Sequence, residues 1–217
     1  MGRNNKKVKV NIGMATFNNR DISQSLNSLK KAIKFHQSIT NEYEYQINIY
    51  NNDLITNYTD NAKFKYLDCD ILLTVDDDII YPEDYIYIMI TEANKYGVVT
   101  CHGRILKDFE RYYGPTQSIF HCKRRTEFTQ LDILGTGVSC YIMNESVLDA
   151  LKPILKSPDQ MMTDVIVSLE LSKRDINIYC IEHKANWIKI LDNDDGCYNT
   201  MTKKQERLIE LIQHWKK

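Results

Sequence analysis

The sequence predicts an α/β domain built on a mainly parallel central sheet flanked by helices, with a more mixed second half. Three observations carry this. Short apolar segments alternate with segments whose apolar residues recur at helical spacing, the order expected of strand–helix units. The run Ile71-Leu72-Leu73-Thr74-Val75 has the near-continuous apolar character of a strand buried on both faces. It passes at once into Asp76-Asp77-Asp78, and a core cannot hold three unpaired anions, so they fall where the strand leaves the sheet.

In chain order, residues 7–13 (KVKVNIG) alternate polar and apolar residues as a first strand ending in glycine. A polar turn over 14–21 leads to a helix from Ile22, with Leu26, Leu29 and Ile33 on one face and Asp21 or Ser23 as cap. Residues 45–50 (YQINIY) form a second strand ending in Asn51-Asn52-Asp53, and 60–67 a short helix. After the acidic strand, Pro82-Glu83-Asp84 suits the first turn of a helix running to Tyr96, with Gly97 closing it. Strand 98–102 follows. Residues 103–130 have no clean period and are assigned as loop with short strands. Strands flank Gly135-Thr136-Gly137 within 131–143; helices are expected over 144–155, 159–174 and 206–215, and a strand over 176–182.

Composition narrows the function classes. A chain of 217 residues with 43% hydrophobic and 26% charged residues suffices for one α/β domain with a complete core. Its net charge of -1 gives no general attraction to nucleic acid or to anionic membrane. No apolar run approaches a membrane span, and the N-terminus has no signal core. The six cysteines stand singly, so neither a zinc framework nor a disulfide framework follows; reduced thiols in a cytoplasmic setting are the simplest reading. The end at His214-Trp215-Lys216-Lys217 fits a natural terminus or the trimmed domain of a longer protein.

Three strand ends on one sheet edge bring Thr16, Phe17, Asn18 and Arg20 near Asn52, Asp53 and the acidic triplet. Donors, acceptors and a ring face beside carboxylates suit a nucleotide whose phosphates are neutralised by Mg²⁺ or Mn²⁺. The plainer alternatives are a solvated acidic loop and ordinary turn chemistry at Asn52-Asp53. No glycine-rich phosphate loop occurs, which argues against dehydrogenases and P-loop kinases. Lys63 and Arg104 are candidate phosphate partners.

The segments 10–20, Asn52-Asp53, Lys63-Phe64 and 74–82 resemble nucleotide-sugar glycosyltransferases of the GT-A (Rossmann-like) fold. The likeness is to family-2-like enzymes of bacteria and large DNA viruses. Leu134-Gly135-Thr136-Gly137-Val138 and Met162-Thr163-Asp164 through Asn186-Trp187 resemble the acceptor half, so the likeness covers nearly the whole chain. It implies one domain, with a nucleotide-binding half over about 1–100 and an acceptor half over about 101–217. It also implies a DXD-type site: Asp76 at the ribose or the metal, Asp77 beside the donor, and Asp78 ligating Mn²⁺ or Mg²⁺ on the donor diphosphate. Thr16, Phe17 and Asp53 would hold the base, most often uracil. Asp164 would be the catalytic base toward an acceptor hydroxyl, with Gly137 and Trp187 on the acceptor side and His183 or His102 as a further metal ligand. The activity implied is transfer of a hexose from a UDP-sugar to a glycan or glycoconjugate, in the cytoplasm or, for a viral member, the host cytoplasm.

Two alternatives stay open from sequence. A sugar nucleotidyltransferase also uses nucleotide, Mg²⁺ and carboxylates, but it needs a glycine-rich basic loop, and 13–20 has a single glycine. A non-catalytic nucleotide-sugar or carbohydrate-binding module would keep the pocket without turnover. Asp159 and Asp164 also fit as first-turn acids favoured by the helix dipole.

Overall fold

The computed structural model of the chain describes residues 6–17, 20–52, 59–107, 118–159, 162–191 and 205–213. Strand β1 (Val8–Phe17) is followed by α1 (Ser23–Ile39), β2 (Tyr43–Asn52) and a 3₁₀ turn (Thr59–Phe64). Next come β3 (Ile71–Asp76), the short β4 (Ile79–Ile80), α2 (Tyr85–Tyr96), β5 (Val98–Thr100) and β6 (Gly103–Ile105). The second half holds β7 (Ser118–Phe120), β8 (Thr129–Leu131), β9 (Ile133–Leu134), β10 (Val138–Ile142) and α3 (Glu145–Leu151). It ends with α4 (Thr163–Ser172), β11 (Ile178–Cys180), β12 (Lys189–Ile190) and α5 (Gln205–Gln213).

A seven-stranded sheet in the order β2-β1-β3-β10-β5-β11-β8 forms the spine. Strands β2, β1, β3, β5 and β11 share one direction, and β10 and β8 oppose it. The sheet is thus mainly parallel, with its mixed part in the second half, as expected. Helices cover both faces. Alternation along β3 sends Ile71, Leu73 and Val75 to the core under α1 and α2, and Leu72 to the core under α3, α4 and α5. Each such fully buried aliphatic side chain contributes roughly 1.5–3 kcal/mol.

Several boundaries differ from expectation, each for a tertiary reason. The helix expected from Pro82 starts at Tyr85, because Ile79–Ile80 pair with Lys189–Ile190 and hold the chain extended first. The helix expected from Asp159 starts at Thr163; Asp159 lies before it and forms a two-pronged ion pair with Arg207 at 2.8 Å per contact. At α1 no side chain caps the helix, although Asp21 Oδ1 accepts the Ser23 N–H at 2.9 Å. Asn144 does cap α3, accepting the Val147 N–H at 2.9 Å.

Glycine at position 13 brings the 3₁₀ turn against the sheet. A Cβ there would overlap the Lys63 carbonyl oxygen, so only glycine lets Thr59–Phe64 lie on β1. This approach places Lys63 at the edge where β3 ends.

Candidate functional site

The parallel register fixes which strand ends meet. Ala15 pairs with Tyr50 on one side and Asp76 on the other, and Thr16 and Phe17 pair with Asn51 and Asn52. The ends of β1, β2 and β3 therefore share one edge, as the sequence predicted. Thr16 is buried there, and its hydroxyl oxygen has no hydrogen-bond partner among the described residues. Asn18 and Asp53 lie outside the described residues, as do the side chains of Phe17 and Asn52.

The antiparallel strand β10 enters beside β3 with Val138 opposite Val75, so Gly137 faces Asp76. A side chain at 137 would overlap the Asp76 carboxylate. Gly137, expected on the acceptor side, thus also makes room for the acid. Tyr81 locks this corner: its hydroxyl lies 3.1 Å from the carbonyls of Asp76 and Gly137 and accepts the Asp76 N–H at 2.8 Å. Ser25 of α1 adds a bond to the Asp76 carbonyl at 3.2 Å. The end of β3 is held by backbone bonds, leaving its side chains for other work.

Two cations are built into the acidic turn. Lys63, with 1% of its side chain exposed, pairs with both Asp76 and Asp60. Burial alone would lower its pKa, but the two carboxylates outweigh it and hold the ammonium charged well beyond the usual range. Arg20 Nη1 donates to Asp77 Oδ1 at 2.8 Å and stands 3.9 Å from Asp78 Oδ2. The other oxygen of Asp77 is buried without a partner among the described residues. Asp78 is the least neutralised of the three: burial, then Asp76 and Asp77, push its carboxyl up to about 6. A carboxylate so placed favours an added cation.

Asp164 stands in the first turn of α4, and its Oδ1 accepts the Thr136 backbone N–H at 2.8 Å and the Thr136 hydroxyl at 2.6 Å. The same hydroxyl lies 3.1 Å from Asp60 Oδ2. Burial pushes the Asp164 carboxyl up against the opposing effect of these bonds. Thr163 Oγ1 donates to Asn61 Oδ1 at 2.6 Å, fastening α4 to the 3₁₀ turn. A continuous polar chain therefore runs from Asp76 through Lys63, Asp60 and Thr136 to Asp164. Sequence reasoning named its two ends and Lys63 but missed Asp60, Thr136 and Tyr81. Asp60 sits three residues before Lys63, the ion-pair spacing of a helical turn, which was a usable signal.

The remaining candidates are placed elsewhere. Trp187 donates its indole N–H to Asp84 at 2.9 Å and packs near Tyr85 and His183. The buried His183 has one ring nitrogen 3.1 Å from the Cys101 carbonyl and the other 3.3 Å from that of Lys184. Both ring nitrogens thus face backbone oxygens, the arrangement of a structural histidine. Arg104 lies on β6. His102 precedes that strand and stands beside His121, ring centroids 4.9 Å apart.

Oxygen-only donors at the turn suit Mg²⁺ or Mn²⁺ rather than a soft metal. Asp76 and Asp78 keep 40% and 30% of their side-chain surface, so both have oxygens to offer.

No helix among the described residues is long and apolar enough to cross a membrane. No family model and no curated protein matches the chain. Solved structures do align with it. A197 from STIV is 17% identical, covering 86% of this chain and 95% of that chain with a TM-score of 0.42. The 4-diphosphocytidyl-2C-methyl-D-erythritol synthase from Anaerococcus prevotii is 11% identical over 98% and 97%, with a TM-score of 0.49. S. aureus TarS 1-349 in complex with UDP-GlcNAc is 14% identical over 87% of this chain and 60% of that chain, with a TM-score of 0.47. Likenesses this distant carry no argument about activity, and the fold rests on this chain's own strand order.

Proposed function

We propose that the chain is a metal-dependent glycosyltransferase acting on a nucleoside diphosphate sugar, UDP-linked by preference, and on a hydroxyl acceptor. One observation carries the reading: the polar chain from Asp76 to Asp164 joins an acidic strand end to a second, partly buried carboxylate. A transferase needs both, one to hold the leaving diphosphate and one to take a proton from the acceptor.

In this reading the base and ribose lie over the ends of β1 and β2, close to the buried Thr16. Asp76 and Asp78 would hold Mn²⁺ or Mg²⁺, which when bound would supply Lewis-acid neutralisation of the departing diphosphate. Lys63 fixes the Asp76 carboxylate in place, and Arg20 does the same for Asp77. Asp164 takes the acceptor proton; burial raises its basicity, and Thr136 fixes its orientation. Direct displacement with such a base inverts the anomeric centre. Gly137 belongs to the acceptor side, while Trp187, bonded to Asp84, is given no part in it.

The experiment is UDP release from a panel of UDP-sugars with Mn²⁺ and a mixture of glycan acceptors. The reading expects acceptor-stimulated UDP release with one or two sugars. Pyrophosphate release from a nucleoside triphosphate and a sugar phosphate would instead mark a nucleotidyltransferase. Tight UDP-sugar binding with no turnover would mark a binding module.

A further inference from the structure

The register of β6 and β7 pairs Gly103 with Phe120, which brings the preceding His102 opposite the following His121. Cys122 comes next in the chain and is buried. One ligand atom from each of these three residues lies within 4.8 Å of the other two. Gly135 makes the space: its N–H donates to the His102 carbonyl at 2.7 Å, and a Cβ there would stand 2.8 Å from the His102 ring. The proposed transfer reaction uses none of the three.

We propose that His102, His121 and Cys122 form a second metal centre, separate from the acidic turn, that takes a borderline-soft divalent cation, Zn²⁺ foremost. Two imidazoles and a thiolate are a donor set that zinc accepts and that Mg²⁺ and Mn²⁺ do not favour. Tetrahedral zinc with these ligands needs donor atoms about 3.4–3.6 Å apart, from its Zn–N and Zn–S bond lengths. Cys122 Sγ already lies 4.0 Å from His121 Nδ1, so small side-chain rotations close the site. That nitrogen accepts the Lys123 N–H at 3.1 Å. Binding exchanges this hydrogen bond for a coordinate bond, and the backbone N–H of Lys123, an exposed residue, turns to water. The Cys122 thiol gives its proton to solvent as the Zn–S bond forms, with no change of oxidation state. The fourth position is left to solvent. The centre would clip the β6–β7 pair to the end of β5, on the second-half side of the carboxylates. This inference does not depend on the proposed transfer activity.

Cobalt is the probe. Purified full chain is titrated with Co²⁺ in excess Mg²⁺, which competes for oxygen donors but not for a thiolate, and near-ultraviolet thiolate-to-cobalt absorption is recorded. The expected result is a band that saturates at one equivalent, is displaced by one equivalent of Zn²⁺ and is absent in Cys122→Ser. His121→Ala, a change on a partly exposed turn, should weaken cobalt binding at least tenfold. It decides the matter if the Cys122 variant fails to fold. No band in the wild-type chain, an undiminished band in folded Cys122→Ser, or unchanged affinity in His121→Ala would overturn the proposal.

Discussion

Lys63 Nζ bridges Asp60 and Asp76 from a position with 1% side-chain exposure, so the cation nearest the acidic strand end is part of the protein itself. The arrangement requires glycine at 13 and ties the 3₁₀ turn to the end of β3.

Replacing this lysine strands two acids around a buried methylene pocket. Lys63→Met should cost about 3 kcal/mol of stability, the scale of breaking a buried ion pair. The lysine pKa is raised in the fold, so its contribution is complete below the unfolded value near 10.5 and is lost only as pH rises through the higher folded value. The penalty should therefore be flat between about pH 8 and 9 and should shrink toward pH 6 as the carboxyls that Lys63 holds ionised take up protons, as read by urea unfolding. A variant as stable as wild type would remove Lys63 from the scaffold of the site.

Asp78 behaves oppositely. Its carboxyl rises from 3.8 to about 6, so the fold favours the protonated acid. The associated stability is present below about pH 4 and is lost as pH climbs through 6. Asp78→Asn should therefore stabilise the metal-free chain by about 1–2 kcal/mol at pH 7.5, after allowing for partial exposure. It should change little at pH 4. Thermal unfolding at the two pH values checks this; equal effects at both would show that Asp78 is not under strain.

Gly137→Ala tests the close approach at Asp76. The added methyl has to push the carboxylate aside, a cost of about 1–3 kcal/mol for overpacking. Mn²⁺-dependent nucleotide affinity should fall about tenfold or more while the chain stays folded. Unchanged affinity by calorimetry would mean that the Asp76 orientation is immaterial to binding.

Asp164→Asn separates proton transfer from donor binding. UDP-sugar affinity should stay within about twofold, while transfer falls by about 10²–10⁴, the scale of a lost general base. Thr136→Val should weaken transfer less, because the Thr136 backbone N–H still orients Asp164. Normal turnover in Asp164→Asn would end its role as base.

Much of this was legible in the chain. The Ile71–Val75 run and the triplet after it gave β3 and its polar end, because an uninterrupted apolar run and adjacent anions leave few placements. What was not legible depends on distant pairing. Ile79–Ile80 form a strand only because Lys189–Ile190 lie alongside, and Asp159 leaves its helix for Arg207. Thr136 was hidden between two glycines that look like a simple break, and its partners come from the 3₁₀ turn and from α4. His183 reads from sequence as a structural histidine more readily than as a metal ligand, and both its ring nitrogens lie near backbone carbonyls.

The most direct measurement is calorimetric titration of the wild-type chain and of Asp78→Ala with UDP, each with and without Mn²⁺. In the wild type, Mn²⁺ should tighten UDP binding by at least about tenfold, near 1.4 kcal/mol, and the Ala variant should lose that gain. Equal UDP affinity with and without Mn²⁺, or a full manganese effect in Asp78→Ala, would contradict a cation-assisted diphosphate site at the end of β3.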